Sequence, residues 1–161
     1  ASGVVAGLVA ITPAAGFANP QGALIIGIIG GGAAYVGAVW LKRLLKYDDS
    51  LDAFGIHGIG GIVGAIGTGL VVNPAWGGAG VVDYTSCAKD GDISTCDTAV
   101  YSLATQVMAQ VKAVGVTIIW SAIASAIVFF LIKLVIGLRA SPDAEEEGLD
   151  ISEHGERAYH S

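Results

Sequence analysis

None of the first 41 residues carries a formal charge, and this stretch limits what the chain can fold into. A water-soluble domain spreads charged residues over its surface, and roughly a quarter of its residues are charged. Here 14% are charged and 53% are hydrophobic. This pattern excludes a soluble globular domain, a disordered chain and a nucleic-acid-binding domain with a basic face. It predicts a protein embedded in membrane lipid.

The net charge of −6 is concentrated at the C-terminal end. Residues 140–161 contain seven acidic residues and one basic residue, so residues 1–139 are neutral overall. The sequence therefore predicts a transmembrane domain over residues 1–139, followed by an acidic tail over residues 140–161.

Four apolar segments predict four membrane helices and an all-α fold class, a polytopic membrane helix bundle. About 20 apolar residues are needed to span a bilayer. The first segment is slightly short, and the chain begins without an initiator Met. We expect a fragment of a longer protein, with a processed N-terminus as the alternative. The predicted helices cover residues 3–18, 22–45, 51–72 and 107–138, with an outer loop over 73–105.

Basic residues predict the orientation in the membrane. Lys42, Arg43 and Lys46 lie between the second and third helices, and Arg139 follows the fourth. Cytoplasmic loops carry an excess of Lys and Arg, so these ends are predicted to be cytoplasmic. The acidic tail then also lies in the cytoplasm, and the protein is predicted to be a multi-pass protein of the plasma membrane.

Both cysteines of the chain, Cys87 and Cys96, lie in the predicted outer loop. An oxidising compartment allows two nearby cysteines to pair. We predict a disulfide between them, and the alternative is two free thiols.

The apolar segments are rich in glycine, including the pairs Gly27–Gly31 and Gly60–Gly64 at four-residue spacing. Small residues at this spacing let membrane helices approach closely. A second explanation is that the glycines leave a narrow space beside a bulky group. Both explanations stay open at this point.

His57 lies in the third apolar segment among glycines. An ionisable side chain inside a membrane helix usually faces the protein interior or a water-filled path. A neutral imidazole donates through one nitrogen and accepts through the other, which suits the transfer of a small polar solute or a proton. A structural role is the alternative, and no metal site is predicted. Asp52 is predicted to be structural, as a cap of the third helix, with a direct cation contact as the alternative.

Three stretches of the sequence resemble the ammonium transporter family (the Amt, Mep and Rh proteins). They are AGLVAITPAAGF at 6–17, DDSLDAFGIHGIGGIVG at 48–64 and GLDISEHGERAY at 148–159, supported by TIIWSAI at 117–123. The resemblance implies that the chain corresponds to the last four helices of an eleven-helix bacterial-type ammonium transporter.

The resemblance also implies a homotrimer in which each subunit has its own narrow, hydrophobic, histidine-lined pore for ammonium or ammonia. Two histidines line that pore, and His57 matches the second, while the first belongs to a helix outside this chain. Ala53 and Ile56 are expected to line the inner pore. Ser2 matches a polar position near its cytoplasmic mouth, and Asp52 matches a family aspartate.

The tail matches the C-terminal region of the family, which packs on a neighbouring subunit and helps to couple the three pores. In many members the same cytoplasmic face receives a PII-type regulator. We therefore expect a regulatory tail, and a disordered, solubilising end is the alternative. The matching tail residues are Gly148, Asp150, His154, Arg157 and Tyr159.

Two other functions compete with transport. A sensor of the same fold would report ammonium to a signalling domain, and a membrane-embedded enzyme would use His57 as a base. The sequence offers neither an output domain nor a nucleophile or metal cluster for these functions. We therefore expect a transporter that is not an enzyme and that needs no cofactor, metal or nucleic acid.

Overall fold

The computed structural model describes residues 2–87 and 96–156, and it is mostly helical. The chain divides into two compact units, residues 1–116 and residues 117 onward. The helices are α1 (Ser2–Ile11), α2 (Pro20–Val36), α3 (Lys42–Leu45), α4 (Gly60–Val71), α5 (Leu103–Val135), α6 (Pro142–Glu147) and α7 (Leu149–Ser152). Short 3₁₀ turns cover Thr12–Ala14 and Pro74–Trp76, and wider π-helical segments cover Gly37–Leu41 and Phe54–Ile59.

Three helical stretches of the described chain are long and apolar enough to cross a membrane. They are Pro20–Leu45, Phe54–Val71 and Leu103–Val135, against predicted bounds of 22–45, 51–72 and 107–138. The first helix, predicted over residues 3–18, is shorter in the structure. Its apolar helical stretch covers Ser2–Ala14. It tightens into a 3₁₀ turn at Thr12–Ala14, where Pro13 lacks the amide hydrogen that an α-helix needs.

The α1–α2 turn is fixed to the turn that follows α4 through Asn19. The Asn19 Oδ1 accepts a hydrogen bond from the Gly22 amide at 2.8 Å and so caps α2, which begins with Pro20. The Asn19 Nδ2 donates to the Trp76 carbonyl at 2.8 Å. One side chain therefore joins two connections at this end of the bundle, which we call the Asn19 end.

Ala10 of α1 lies at the point where α1, α2 and α4 meet, and it is fully buried. A Cβ added at Gly30 of α2 would lie 2.1 Å from the Ala10 Cβ, and one added at Gly64 of α4 would lie 2.0 Å from the Ala10 carbonyl oxygen. The close-packing explanation is therefore confirmed at Gly30 and Gly64. Gly27 differs, since a Cβ there would meet no neighbouring atom within 4 Å in the described part of the chain.

The predicted outer loop contains a small antiparallel sheet, which the all-α prediction did not include. Strand β1 (Val81–Val82) pairs with β2 (Thr98–Ala99). A disulfide joins Cys87 to Cys96 beyond the two strands, so in this structure the two are not free thiols. Beside it, hydrogen bonds from Thr85 lower the pKa of the Asp83 carboxyl.

In the second unit, the described part of the acidic tail forms two short helices, α6 and α7. The Ser141 hydroxyl caps α6 through the Ala144 amide, and Arg139 forms two hydrogen bonds to the Glu145 carboxylate, at 2.6 and 3.0 Å. These bonds lower the pKa of Glu145, so the ion pair persists at neutral pH and is lost as the pH falls through that lowered value.

Of the predicted tail residues, Gly148 separates the two helices. Its φ of +102° suits glycine, and a Cβ there would meet the Asp150 carboxylate at 2.7 Å. His154 follows α7 and is exposed. Arg157 and Tyr159 lie outside the described residues.

Candidate functional site

His57 lies in the π-helical segment Phe54–Ile59, directly before α4. Such wider turns occur frequently at functional sites. The His57 side chain is exposed on this chain, whereas Gly55, two residues earlier, is buried. The segment therefore packs through its glycine face and leaves the imidazole open.

The two π-helical segments pack directly against each other, and this contact fixes the segment that carries His57. A Cβ added at Gly55 would lie 2.5 Å from the Ala38 amide nitrogen, and one added at Gly37 would lie 2.8 Å from the Ile59 Cγ1 and 3.1 Å from the Gly55 Cα. Neither glycine therefore has room for a Cβ at this crossing. Two glycines therefore set the distance between the helices at the level of His57.

Asp49 caps the helix that contains His57. One carboxylate oxygen of Asp49 accepts from the Ala53 amide at 2.8 Å, and the other accepts from the Phe54 amide at 2.9 Å and the Gly55 amide at 3.4 Å. The prediction that the Asp52 carboxylate caps this helix is therefore wrong. The capping oxygens come from three residues earlier, since the chain turns back between Asp49 and Asp52 to bring the Asp49 carboxylate under the free amides.

Asp52 instead forms an ion pair. Its carboxylate lies 2.8 Å from the Lys42 Nζ, and the same ammonium group donates to the Asp49 carbonyl. Asp52 has a φ of +55°, a left-handed conformation that Asp adopts more readily than most residues. In this structure Asp52 therefore links α3 to the start of the His57 segment.

A second link at this end runs through Tyr47. Its hydroxyl lies 3.4 Å from the Gly37 carbonyl oxygen, and its ring packs edge-on against Phe54 with the ring centroids 5.5 Å apart. Tyr47, which lies in the connection between the two π-helical segments, therefore contacts both of them, whereas Lys42 bonds within that connection. We call this region the Lys42 end.

Two of the predicted pore residues, Ser2 and Ile56, line one cavity at the Lys42 end together with Asp52, which was predicted to be structural. These three are among the residues around a space of about 150 Å³. Ala53 and His57 are exposed and do not line it. The structure thus brings the first three together and places the other two on an open surface of the same helical turn.

The contacts of Lys42, Asp49 and Tyr47 at this site were not predicted. From the sequence, Lys42 indicates only the orientation in the membrane, and Asp49 is one of several residues that could cap the third helix. The sequence signal for the cap was present, since Asp49 lies four residues before Ala53, but DDSLD offers several acids at similar spacing. Among residues 2–87 and 96–156, no three His, Cys, Asp or Glu residues are placed to hold a metal ion.

Replacing Asp49 by alanine is expected to destabilise the complete protein by about 1–2 kcal/mol, because the amides at the start of the His57 segment lose their cap. Asp48→Ala is the matched control, since it removes the same charge one residue away. Thermal unfolding in detergent measures both. Equal unfolding midpoints for the two variants would contradict the capping role of Asp49.

Comparison with known proteins identifies the family. Residues 1–159 match the model of the Ammonium Transporter Family. The chain is 41% identical over 158 residues to an ammonium transporter of Bacillus subtilis and 44% identical over 158 residues to one of Aquifex aeolicus. Each match covers 98% of this chain, and 35% and 33% of the respective relative.

A solved structure agrees with these matches. The crystal structure of Saccharomyces cerevisiae Mep2 superposes with a TM-score of 0.66 at 32% identity, covering 88% of this chain and 30% of that one. The chain thus spans about a third of the length of the curated relatives it matches. The family match covers nearly every residue, including the segment that carries His57, and the chain belongs to the Ammonium Transporter Family.

Proposed function

We propose that the protein transports ammonium or ammonia across the plasma membrane. The family match over residues 1–159 carries this proposal, since the relatives in Bacillus subtilis and Aquifex aeolicus are named ammonium transporters. The chain supplies the C-terminal part of the transporter, its last four helices of eleven. The alternatives of an ammonium sensor and of an enzyme have no observation of the structure in their favour.

We assign the transport path to the surface that His57 opens onto. Supporting this, His57 is exposed on a membrane-spanning stretch whose other face packs tightly through glycine. A bare ammonium ion in an apolar lumen faces a large desolvation cost, so passage as neutral ammonia with separate proton movement fits such a pore. Ala53 and Ile56 line the inner pore beside His57, and Ser2 lies near its mouth.

The assembly is a homotrimer with the Lys42 end and the tail in the cytoplasm. The cluster of basic residues at this end supports the orientation, because cytoplasmic ends carry more Lys and Arg. A PII-type regulator is the proposed partner on the cytoplasmic face. The exposed apolar side chains along α5 support burial of that helix in lipid or against other helices.

Uptake of radiolabelled methylammonium by cells that lack other ammonium transporters tests the proposal. Expression of the complete protein is expected to give saturable uptake that excess ammonium inhibits and excess potassium does not. Uptake equal to that of cells with an empty vector, with the protein present in the membrane, would contradict transport.

Deleting residues 143–161 is expected to lower the uptake rate several-fold or to abolish its response to nitrogen supply. The physical reason is the loss of α7 and of most of α6, the helix whose start Ser141 caps and whose Glu145 pairs with Arg139. The measurement is methylammonium uptake per amount of membrane protein, with Glu145→Gln as a milder variant. Wild-type uptake together with a wild-type nitrogen response would contradict a regulatory tail.

A further inference from the structure

The Lys42 side chain contacts both sides of the turn that precedes the His57 segment. Its Nζ lies 2.8 Å from the Asp52 carboxylate and also donates to the carbonyl of Asp49. Asp49 and Asp52 are themselves joined, since the Asp52 amide donates to the Asp49 carbonyl at 3.1 Å. The Lys42 Nζ therefore joins the two ends of this turn, Asp49 and Asp52, to α3.

The same turn determines where the His57 segment begins. The Asp49 carboxylate holds the amides of the first helical residues, and the Asp52 carbonyl accepts from the Ile56 amide at 2.9 Å, one residue before His57. A shift of the turn therefore shifts the first hydrogen bonds of the helix. The exposed imidazole is carried by this helical turn and moves with it.

An external contact helps to hold Asp52 in place. Its φ of +55° is uncommon for a residue with a side chain, although Asp adopts this conformation more readily than most. The Lys42 and Asp52 side chains are only partly exposed, at 30% and 42%, so water screens their pairing less than that of a fully exposed pair. This ion pair supplies the contact.

We propose that Lys42 is a positioning residue for transport, which holds the turn 49–52 and thereby the orientation of the segment that carries His57. This rests on the transport function proposed above and adds a residue to it. Lys42 acts through Asp49 and Asp52 and does not contact the transported solute.

The neighbouring basic residues separate this role from a general effect of positive charge. Arg43 and Lys46 are exposed, and both belong to the same cytoplasmic basic cluster as Lys42. If the cluster serves orientation in the membrane alone, removing any one of these charges has a similar effect. If Lys42 positions the turn, removing its charge has an effect that removing the charge of Arg43 does not have.

The test compares three variants of the complete protein: Lys42→Met, Lys42→Arg and Arg43→Met. Hydrogen–deuterium exchange in detergent measures the backbone of residues 53–59, with α5 as the internal reference, and does not depend on transport. Lys42→Met is expected to raise exchange in residues 53–59 about tenfold, with α5 unchanged. Arg43→Met is expected to match the unmodified protein, and Lys42→Arg is expected to restore most of the protection.

Methylammonium uptake provides the functional readout. Lys42→Met is expected to lower the maximal rate about tenfold at equal protein amount, with the half-saturating concentration unchanged and with recovery in Lys42→Arg. Unchanged exchange in residues 53–59 would overturn the proposal, as would equal effects of Lys42→Met and Arg43→Met. If the unmodified protein shows no uptake, the transport function fails, and the exchange result still decides whether Lys42 holds the segment.

Discussion

Replacing His57 by alanine is expected to lower ammonium uptake by the complete protein about a hundredfold, while the protein still folds and reaches the membrane. The imidazole offers a donor and an acceptor to a polar solute in an apolar lumen. An unpaired polar group there costs about 1–3 kcal/mol, and each 1.4 kcal/mol changes a rate or equilibrium about tenfold. The His57 side chain is exposed on this chain, so its truncation leaves no cavity in the core of the described residues.

The control for His57→Ala is Gln21→Ala, which removes an exposed polar side chain from the start of α2 at the Asn19 end. We expect uptake by the Gln21 variant to stay near that of the unmodified protein. The measurement is ammonium-driven current or methylammonium uptake, normalised to protein in the membrane. Unchanged electrogenic current in His57→Ala would remove this residue from the mechanism.

Replacing Gly64 by alanine is expected to destabilise the complete protein by about 2 kcal/mol or more. The added Cβ would lie 2.0 Å from the Ala10 carbonyl oxygen and 2.8 Å from its carbonyl carbon, so α1 and α4 must move apart. Overpacking of this kind costs about 1–3 kcal/mol even when a side chain can yield, and here the obstacle is backbone. Alanine favours a helix by up to about 1 kcal/mol over glycine, which offsets only part of this cost.

Gly61→Ala is the matched control on the same helix. A Cβ at Gly61 meets no neighbour within 4 Å in the described part of the chain, so the helix-favouring effect of alanine is expected to dominate. Thermal unfolding in detergent measures both variants. The midpoint is expected to fall by roughly 4–8 °C for Gly64→Ala. A midpoint for Gly64→Ala at or above that of Gly61→Ala would contradict the close packing of α1 against α4.

The sequence was sufficient to predict the helical class and the approximate extent of the three long apolar spans. Uncharged apolar runs have few alternatives to a membrane helix, because lipid provides no partner for backbone groups. The first segment ended earlier than predicted, because the helix tightens into a 3₁₀ turn at Thr12–Ala14, where Pro13 lacks an amide hydrogen.

The local geometry around His57 was harder to predict. DDSLDAF contains three acids within five residues, and only the fold of the turn decides that Asp49 caps the helix while Asp52 binds Lys42. The π-helical turns carry no sequence signal of their own. Their crossing at Gly37 and Gly55 depends on two segments that are far apart in the sequence.

The strands β1 and β2 were missed for a related reason. Each has two residues, too few to produce the alternating pattern that predicts a strand. The cysteine pair was the usable signal in this region, because a link between Cys87 and Cys96 brings the two sides of the loop together.

The most direct test of the account is the current across proteoliposomes that contain the purified complete protein. A jump in ammonium concentration is expected to produce a transient current that scales with protein amount, saturates with ammonium and is lost in His57→Ala. A potassium jump of the same size is expected to produce none. Absence of an ammonium current above that of protein-free liposomes, with folded protein shown to be present, would contradict the account.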